Sequence, residues 1–377
     1  MRRYAWRYVL SVVAVAVLTT FTNAKITEAA PVDKVIKATF MSVYPPSHQQ
    51  YKLTTRYLDM VEEATKGGIK FERYPSSQLC PERQALDAVG KGVFQILNSY
   101  SGYYSGQVAT GAMGFPGAWP NPASWAFNFL EDAELRDLVT KQFLETCNVV
   151  IPLMHAFTPG SCFIMGKGKE IRSMADFKGK KIRSPGGEIT PIYDELGAAG
   201  VMLIGSEWYT GMQRGTVDGV MGYPYAIRTY KLLEVARSMT ALRLVPTICP
   251  MIFINADFWK GLPQEIKKVM FDLNKKWTWE IMMPSVTEEE VQDWNLGKEK
   301  GLEIIRFPRE EGDKVFKIAA KIGRESYLSQ CRKQGYGELS EKLVARMAKA
   351  TEEWPALEKK LLKEGTIKAE QYMYPSE

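Results

Sequence analysis

The 377-residue sequence is short of the side chains on which most enzymes rely. It holds two histidines, His48 and His155. Neither stands in a motif with a companion Cys or Ser, so each reads first as a packed, turn or surface residue. No GxGxxG follows the first strand-like segment, and no GxxxxGK precedes a Ser or Thr. HExxH and closely paired cysteines are also missing, which removes the dinucleotide, P-loop and zinc-site signatures. The five cysteines, Cys80, Cys147, Cys162, Cys249 and Cys331, lie too far apart for a compact metal knuckle, and no metal site is expected. Their odd number leaves at least one thiol outside any set of intrachain disulfides. Acids are dispersed, and no spacing nominates a catalytic pair. Binding therefore outranks catalysis.

The sequence also lacks long apolar runs after its first residues. There, "MRRYAWR" is cationic, "YVLSVVAVAVLTTF" is apolar, and "TNA" ends in small residues at Ala24. This predicts a cleavable secretory signal peptide over 1–24 and places the mature chain outside the cytoplasm. Loss of Arg2, Arg3 and Arg7, with no acid, takes the formal net charge from +6 to +3. A value that small, without a dense Lys/Arg stripe, argues against a nucleic-acid partner.

What remains alternates strand and helix signals. Strands are expected at 34–42, 69–75 and 93–99, and helices at 49–65 and from Pro81, which is a βαβαβ opening. Residues 100–122 are rich in Gly, Pro and aromatics and predict a long functional loop. A second α/β unit begins near Phe157 and includes a helix expected from Ala226 to Val235. Residues 242–259 then read as an apolar crossover. A strong helix starts at Pro263, with Ile266, Val269, Met270, Leu273, Trp277 and Ile281 on one face, and is expected to stop at Pro284. Beyond Gly335, Leu339, Leu343, Met347 and Trp354 form a stripe that suits either a cap on the same chain or a dimer seam.

The stretch "GKKIRSPGGEITPIYDELGAAG", Gly179 to Gly200, carries the clearest functional signal. A strand ends at Arg183, turns through "SPGG", and passes to a helix expected over 189–196. Open α/β sheets place ligand groups at such strand ends, and a helix start adds free amide donors suited to an anion.

In Met174–Val220, "MADFKGKKIRSPGG", "LGAAG" and "SEWYTGMQRGTVDGV" occur in one register. Residues from about 34 to 330 resemble the solute-binding proteins of tripartite ATP-independent periplasmic (TRAP) transporters, with looser support from 68–92 and 255–268. The resemblance implies an α/β, two-lobed periplasmic binding protein fold with crossing interdomain segments and a long connecting helix. Lobe I would span 31–156, completed by part of 242–300. Lobe II would span 157–241, completed by part of 301–335, with 336–377 as a helical extension. It also implies a periplasmic receptor with no covalent chemistry and no cofactor. Its cleft would close on a small organic acid and deliver it to TRAP membrane subunits, as a monomer or homodimer.

In that family the arginine of the "KiR" run commonly pairs with the ligand carboxylate, and the matching residue is Arg183. Its planar fork can donate two parallel hydrogen bonds. A second arginine, frequent in the strand entering lobe II, is missing from "AFTPGSCFIMG", and "VMGYPY" replaces the usual polar residues after the "vDG" strand. These departures point to a monocarboxylate with an apolar or aromatic body. The alternatives are a C4-dicarboxylate or keto-acid receptor and, in another class, a secreted hydrolase or lyase on a similar scaffold. Candidate cleft residues beside Arg183 are Tyr44, Ser47 and His48, then Tyr100, Ser101 and Tyr103, together with Phe157, Trp208 and Tyr223. Tyr225 is a weaker candidate, and Arg172, Arg214, Arg228 and Arg243 are the other cations that could reach inward.

Overall fold

A computed structural model describes residues 35–154, 161–187, 189–242, 244, 250–365 and 367. The expected signal peptide and the candidate Phe157 lie outside these residues, as do His155, Arg243 and Cys249. Strand β1 (Ile36–Ser42), helix α1 (Gln49–Ala64), β2 (Ile69–Tyr74), α2 (Ala85–Gly90) and β3 (Ile96–Tyr100) form the βαβαβ opening. Helices α3 (Pro122–Glu131) and α4 (Ala133–Cys147) lead to the short β4 (Val149–Val150). The second unit runs β5 (Cys162–Met165), β6 (Lys181–Ser184), α5 (Thr190–Glu195), β7 (Ala199–Met202), α6 (Trp208–Gln213), β8 (Gly219–Gly222), α7 (Ala226–Thr229) and β9 (Ser238–Ala241). The chain then forms β10 (Pro250–Asn255), α8 (Ala256–Gly261), α9 (Gln264–Trp277), α10 (Met283–Glu299), β11 (Glu303–Arg306), α11 (Arg309–Lys333) and α12 (Gly337–Lys363).

Two sheets result. One has the order β2-β1-β3-β10-β4 and the other β11-β9-β5-β8-β6-β7. In the first, β1 pairs in parallel with β2 and β3, while β10 returns antiparallel between β3 and β4. In the second, β6 is parallel to β7 and β8, and β5 lies antiparallel between β8 and β9. Each sheet is covered by helices and has its own apolar core. This is the mixed α/β, two-lobed arrangement expected.

Helices tie the lobes together. The long helical run from Gln264 to Glu299 begins in the first core through Ile266, Val269 and Trp277, and reaches the second at Gly297, where a Cβ would lie 2.8 Å from Met239 Sδ. Helix α11 returns the chain: Val315 and Ala319 join the second core, Tyr327 and Cys331 the first. At its middle, Gly323 lets the helix touch Phe115 and Pro116 of one lobe and Ile192 of the other.

Three local expectations are corrected. Pro284 does not end the helix, because a π-helical turn at Thr278–Met282 precedes it and places Pro284 in the first turn of α10, where its missing N–H breaks no regular bond. Residues 100–122 are not one open loop. They form 3₁₀ turns at Ser101–Tyr104 and Ala109–Gly111 and bury Val108, Met113, Phe115 and Trp119, whose apolar area keeps the segment folded inward. The helix from Ala226 stops at Thr229, since Lys231 takes a left-handed φ of 56° before a 3₁₀ turn at Leu232–Glu234.

The C-terminal stripe packs on its own chain. Leu339, Leu343, Met347 and Trp354 are buried in the first core, with α12 lying against α3, α4 and α11. Trp354 Nε1 donates to Glu358 at 2.9 Å, and Asn121 bonds the same carboxylate at 3.1 Å. No helix among the described residues is long and apolar enough to cross a membrane.

Candidate functional site

The ends of β1, β3, β6 and β8 converge where the lobes meet, as expected for ligand groups in open α/β sheets. Lys181, at the start of β6, donates its backbone N–H to Asp218 at 2.8 Å, which ties this strand to the entry of β8. Arg183, on the inward face of the same strand, is 2% exposed. Its Nε donates to the Leu203 carbonyl at 2.9 Å and its Nη1 to the Met221 carbonyl at 3.1 Å. Nη2 reaches the Tyr103 hydroxyl of the other lobe at 3.4 Å. The guanidinium also lies 4.3 Å from the Trp208 ring centroid, a cation–π contact of about 2 kcal/mol when water is excluded. No carboxylate of the described residues forms an ion pair with it. Three of its five N–H groups are thus used to fix its direction, and one on each terminal nitrogen takes no partner among the described residues.

Trp208 therefore supports Arg183 from beneath. Its Nε1 donates to the Leu203 carbonyl at 3.3 Å, and its ring occupies the space above Gly222, where a Cβ would come within 2.9 Å. The turn after β6 also brings the lobes close: Gly187, at φ 54°, leaves room for Ser105, whose Oγ would lie 3.1 Å from a Cβ there. Helix α5 is too short to act as an anion site, and the amide of Ile189 before it is spent on the Gly186 carbonyl at 3.2 Å. The fixed positive charge at this strand end is Arg183 itself.

Around it stands an aromatic enclosure drawn from both lobes. Tyr44 stacks on His48 with centroids 4.3 Å apart, and Tyr225 meets the His48 edge at 4.8 Å. Tyr230 lies between His48, at 5.9 Å, and Trp208, at 4.8 Å. Tyr100 packs edge-on to Tyr103 at 5.0 Å, and Tyr223 stacks with Tyr225 at 5.6 Å. His48 caps α1, its Nδ1 accepting from the Gln50 N–H at 3.0 Å. Burial pushes the phenols of Tyr44, Tyr225 and Tyr230 well up, so they act as neutral hydroxyls. Burial likewise raises Tyr103 to about 12, although Arg183 and hydrogen bonds from Gly205 and Arg183 pull the other way.

Of the candidates named from the sequence, Tyr44, His48, Tyr100, Tyr103, Arg183, Trp208 and Tyr223 share this enclosure. Ser47 does not: it is exposed in the turn before His48. Ser101 turns away as well, donating to the Gly111 carbonyl at 2.6 Å. Three of the four other arginines are described, and each is committed elsewhere or exposed. Arg172 pairs with Glu303, Arg228 with Asp293 and Glu289, and Arg214 is exposed at the end of α6.

Sequence reasoning missed Tyr230 and Glu82. Glu82 opens the 3₁₀ turn after β2, held by the Tyr104 hydroxyl, which donates to the Glu82 carbonyl at 3.1 Å. Burial raises its carboxyl to about 7, against the lowering fields of Arg183 and Arg83. A polar residue directly after Pro81, on a loop following a strand that faces the cleft, was the available signal. Neighbouring Arg83 reaches across the lobes to Glu207 at 3.5 Å.

This architecture is a two-lobed α/β fold with one buried arginine in an aromatic cleft. Residues 40–330 match the family model described as bacterial extracellular solute-binding protein, family 7, and the chain belongs to that family. A solute-binding protein of Albidiferax ferrireducens is 25% identical over 272 residues, covering 71% of this chain and 75% of its own. A TRAP periplasmic solute binding protein of Rhodoferax ferrireducens, solved with malonate, superposes with a TM-score of 0.73 at 21% identity, over 84% of this chain and 98% of its own. Another, from Desulfovibrio salexigens with orotic acid, gives 0.70 at 21% identity, over 82% and 99%.

Proposed function

We propose that this protein is the extracytoplasmic receptor of a TRAP transporter, and that it binds a small monocarboxylate with an apolar or aromatic body. The observation that carries the reading is Arg183, buried, stacked on Trp208 and held by two backbone carbonyls, with an N–H left on each terminal nitrogen. A carboxylate pairing there would meet a desolvated partner already oriented, which raises the worth of the contact. The surrounding rings of Tyr44, His48, Tyr225 and Tyr230 offer stiff apolar area for the rest of the solute.

The charge inventory favours one carboxylate over two. Among the described residues Arg183 is the single cation within the enclosure, and Glu82 adds a group that ionises near pH 7. A second carboxylate would therefore lose its hydration without a partner. Orotic acid, bound by one structural neighbour, joins a planar ring to a single carboxyl, whereas malonate, bound by another, carries two. Delivery to membrane subunits follows from family membership, and none of the groups gathered in the cleft requires a covalent step.

Titration calorimetry and thermal shift with benzoate, cyclohexanecarboxylate, 2-oxo acids, malonate and succinate test the reading. Tight binding of a monocarboxylate, with dicarboxylates at least tenfold weaker, is expected. Preferential binding of succinate or malonate would overturn the solute class while leaving the receptor role. Turnover of a bound acid would instead favour an enzyme.

A further inference from the structure

The segment from Ser101 to Gly111 meets the second lobe at two points. The Tyr103 hydroxyl accepts from Arg183 Nη2 at 3.4 Å, and Ser105 faces Gly187, where a Cβ would lie 3.1 Å from its Oγ. What grips the segment lies far along the chain. Gln334, the C-cap of α11, turns its side-chain Oε1 to accept from the Ala109 N–H at 2.8 Å and from Gln142 Nε2 at 2.7 Å. Its Nε2 donates to the carbonyls of Ser105 and Gly106, both at 3.0 Å. All four hydrogen-bonding positions of this amide are therefore used, three of them on the segment that carries Tyr103. Gln142 of α4, 1% exposed, accepts in turn from the Thr110 N–H at 3.0 Å, and Tyr327 of α11 donates to the Thr110 carbonyl at 3.4 Å.

Helix α11 belongs to both lobes. Val315 and Ala319, in its first half, are buried in the same core as Ile182 of the Arg183 strand, while Gln334 at its end clasps a segment of the first lobe. One helix anchored beside Arg183 thus sets where Tyr103 stands. A fully bonded amide network admits one arrangement, since any shift leaves a donor or an acceptor unpaired. We infer that Gln334 is a positioning residue for the binding site, a role that rests on the organic-acid reading of the cleft. It holds the Ser101–Gly111 segment so that the Tyr103 hydroxyl meets Arg183 and fixes the guanidinium for the solute carboxylate. Its own side-chain bonds go to the segment and to Gln142, so its effect on the solute runs through Tyr103.

The test is calorimetry on the purified protein with the tightest acid among benzoate, cyclohexanecarboxylate, pyruvate, malonate and succinate. Gln334→Met keeps the length of the side chain and loses all four bonds. Gln334→Glu keeps both acceptor bonds but sets an oxygen against the Ser105 and Gly106 carbonyls. A thermal melt confirms that each variant is folded, and Gln334→Glu carries the test should Gln334→Met not fold. Each is expected to weaken the acid about fivefold or more, the scale of one lost hydrogen bond. In a Tyr103→Phe background, which lacks the hydroxyl, the same changes should weaken it less than about twofold, a coupling that a purely structural role would not produce. Hydrogen exchange across 101–111, at Ala109 above all, should quicken in the Gln334 variants with no acid present. A lower melting point with unchanged affinity, a loss of equal size with and without the hydroxyl, or unchanged exchange overturns the inference and leaves the organic-acid reading standing. Failure of every acid to bind the native protein overturns that reading, and this inference with it.

Discussion

Replacing Glu82 by Gln should stabilise the protein at pH 8 and leave it nearly unchanged at pH 4. Burial raises the Glu82 carboxyl from 4.5 to about 7, so the native state holds this proton more tightly than the unfolded chain does. The sign follows. Below about pH 4.5 both states are protonated and the site is silent; between 4.5 and 7 stability falls as pH rises; above 7 the full penalty of this half-buried charge is present. At 1.36 kcal/mol per unit, the displacement corresponds to at most about 3 kcal/mol, and residual solvent contact should bring it nearer 2. The amide keeps the shape and has no charge to bury. Urea unfolding of both proteins at several pH values, read by circular dichroism, gives the difference in stability directly. A gain for Glu82→Gln of about 2 kcal/mol at pH 8 that vanishes by pH 4 is expected. A difference that is constant across the range would refute the reasoning, because it would show that no titration is involved.

Two other substitutions probe the scaffold. Trp354→Ala opens the contact between α12 and α3 and should cost about 3 kcal/mol or more in urea unfolding, with no change in solution mass, since that ring packs within its own chain. Gly222→Ala places a methyl 2.9 Å from the Trp208 ring and should displace the support beneath Arg183, weakening the best carboxylate by about tenfold in calorimetry while costing about 1 to 3 kcal/mol of stability.

Much of the fold was legible because it is written in local signals. The period of Ile266, Val269, Met270, Leu273 and Trp277 marks a buried helical face, and all five are buried in α9. Pro284 misled because a proline ends a regular α-helix, whereas here a π turn at Thr278–Met282, flanked by the buried Trp277 and Met283, carries the chain into α10 with the proline in its first turn. Arg183 was legible from the strand-to-turn transition at "KIRSPGG" and from the register of the neighbouring motifs. Its support was not. Trp208 read as a cleft-lining ring, but packing against Gly222 places it under the guanidinium. Ser47 and Ser101 sat in the right loops, yet loop membership does not fix direction: one faces water and the other a backbone carbonyl. Glu82 and Tyr230 come together only when the lobes meet, more than a hundred residues apart in sequence, so no window could pair them.

The central claim is that Arg183 holds the solute carboxylate. Calorimetry of the tightest monocarboxylate against Arg183→Met and Arg183→Lys, each shown to be folded by its melt, tests it most directly. The account predicts a loss of at least ~2 kcal/mol for Arg183→Met, the lower range for removing one member of a buried charged pair. It also predicts a clear loss for Arg183→Lys, whose single ammonium cannot reproduce the fork or both carbonyl bonds to Leu203 and Met221. Unchanged affinity in Arg183→Met would contradict it.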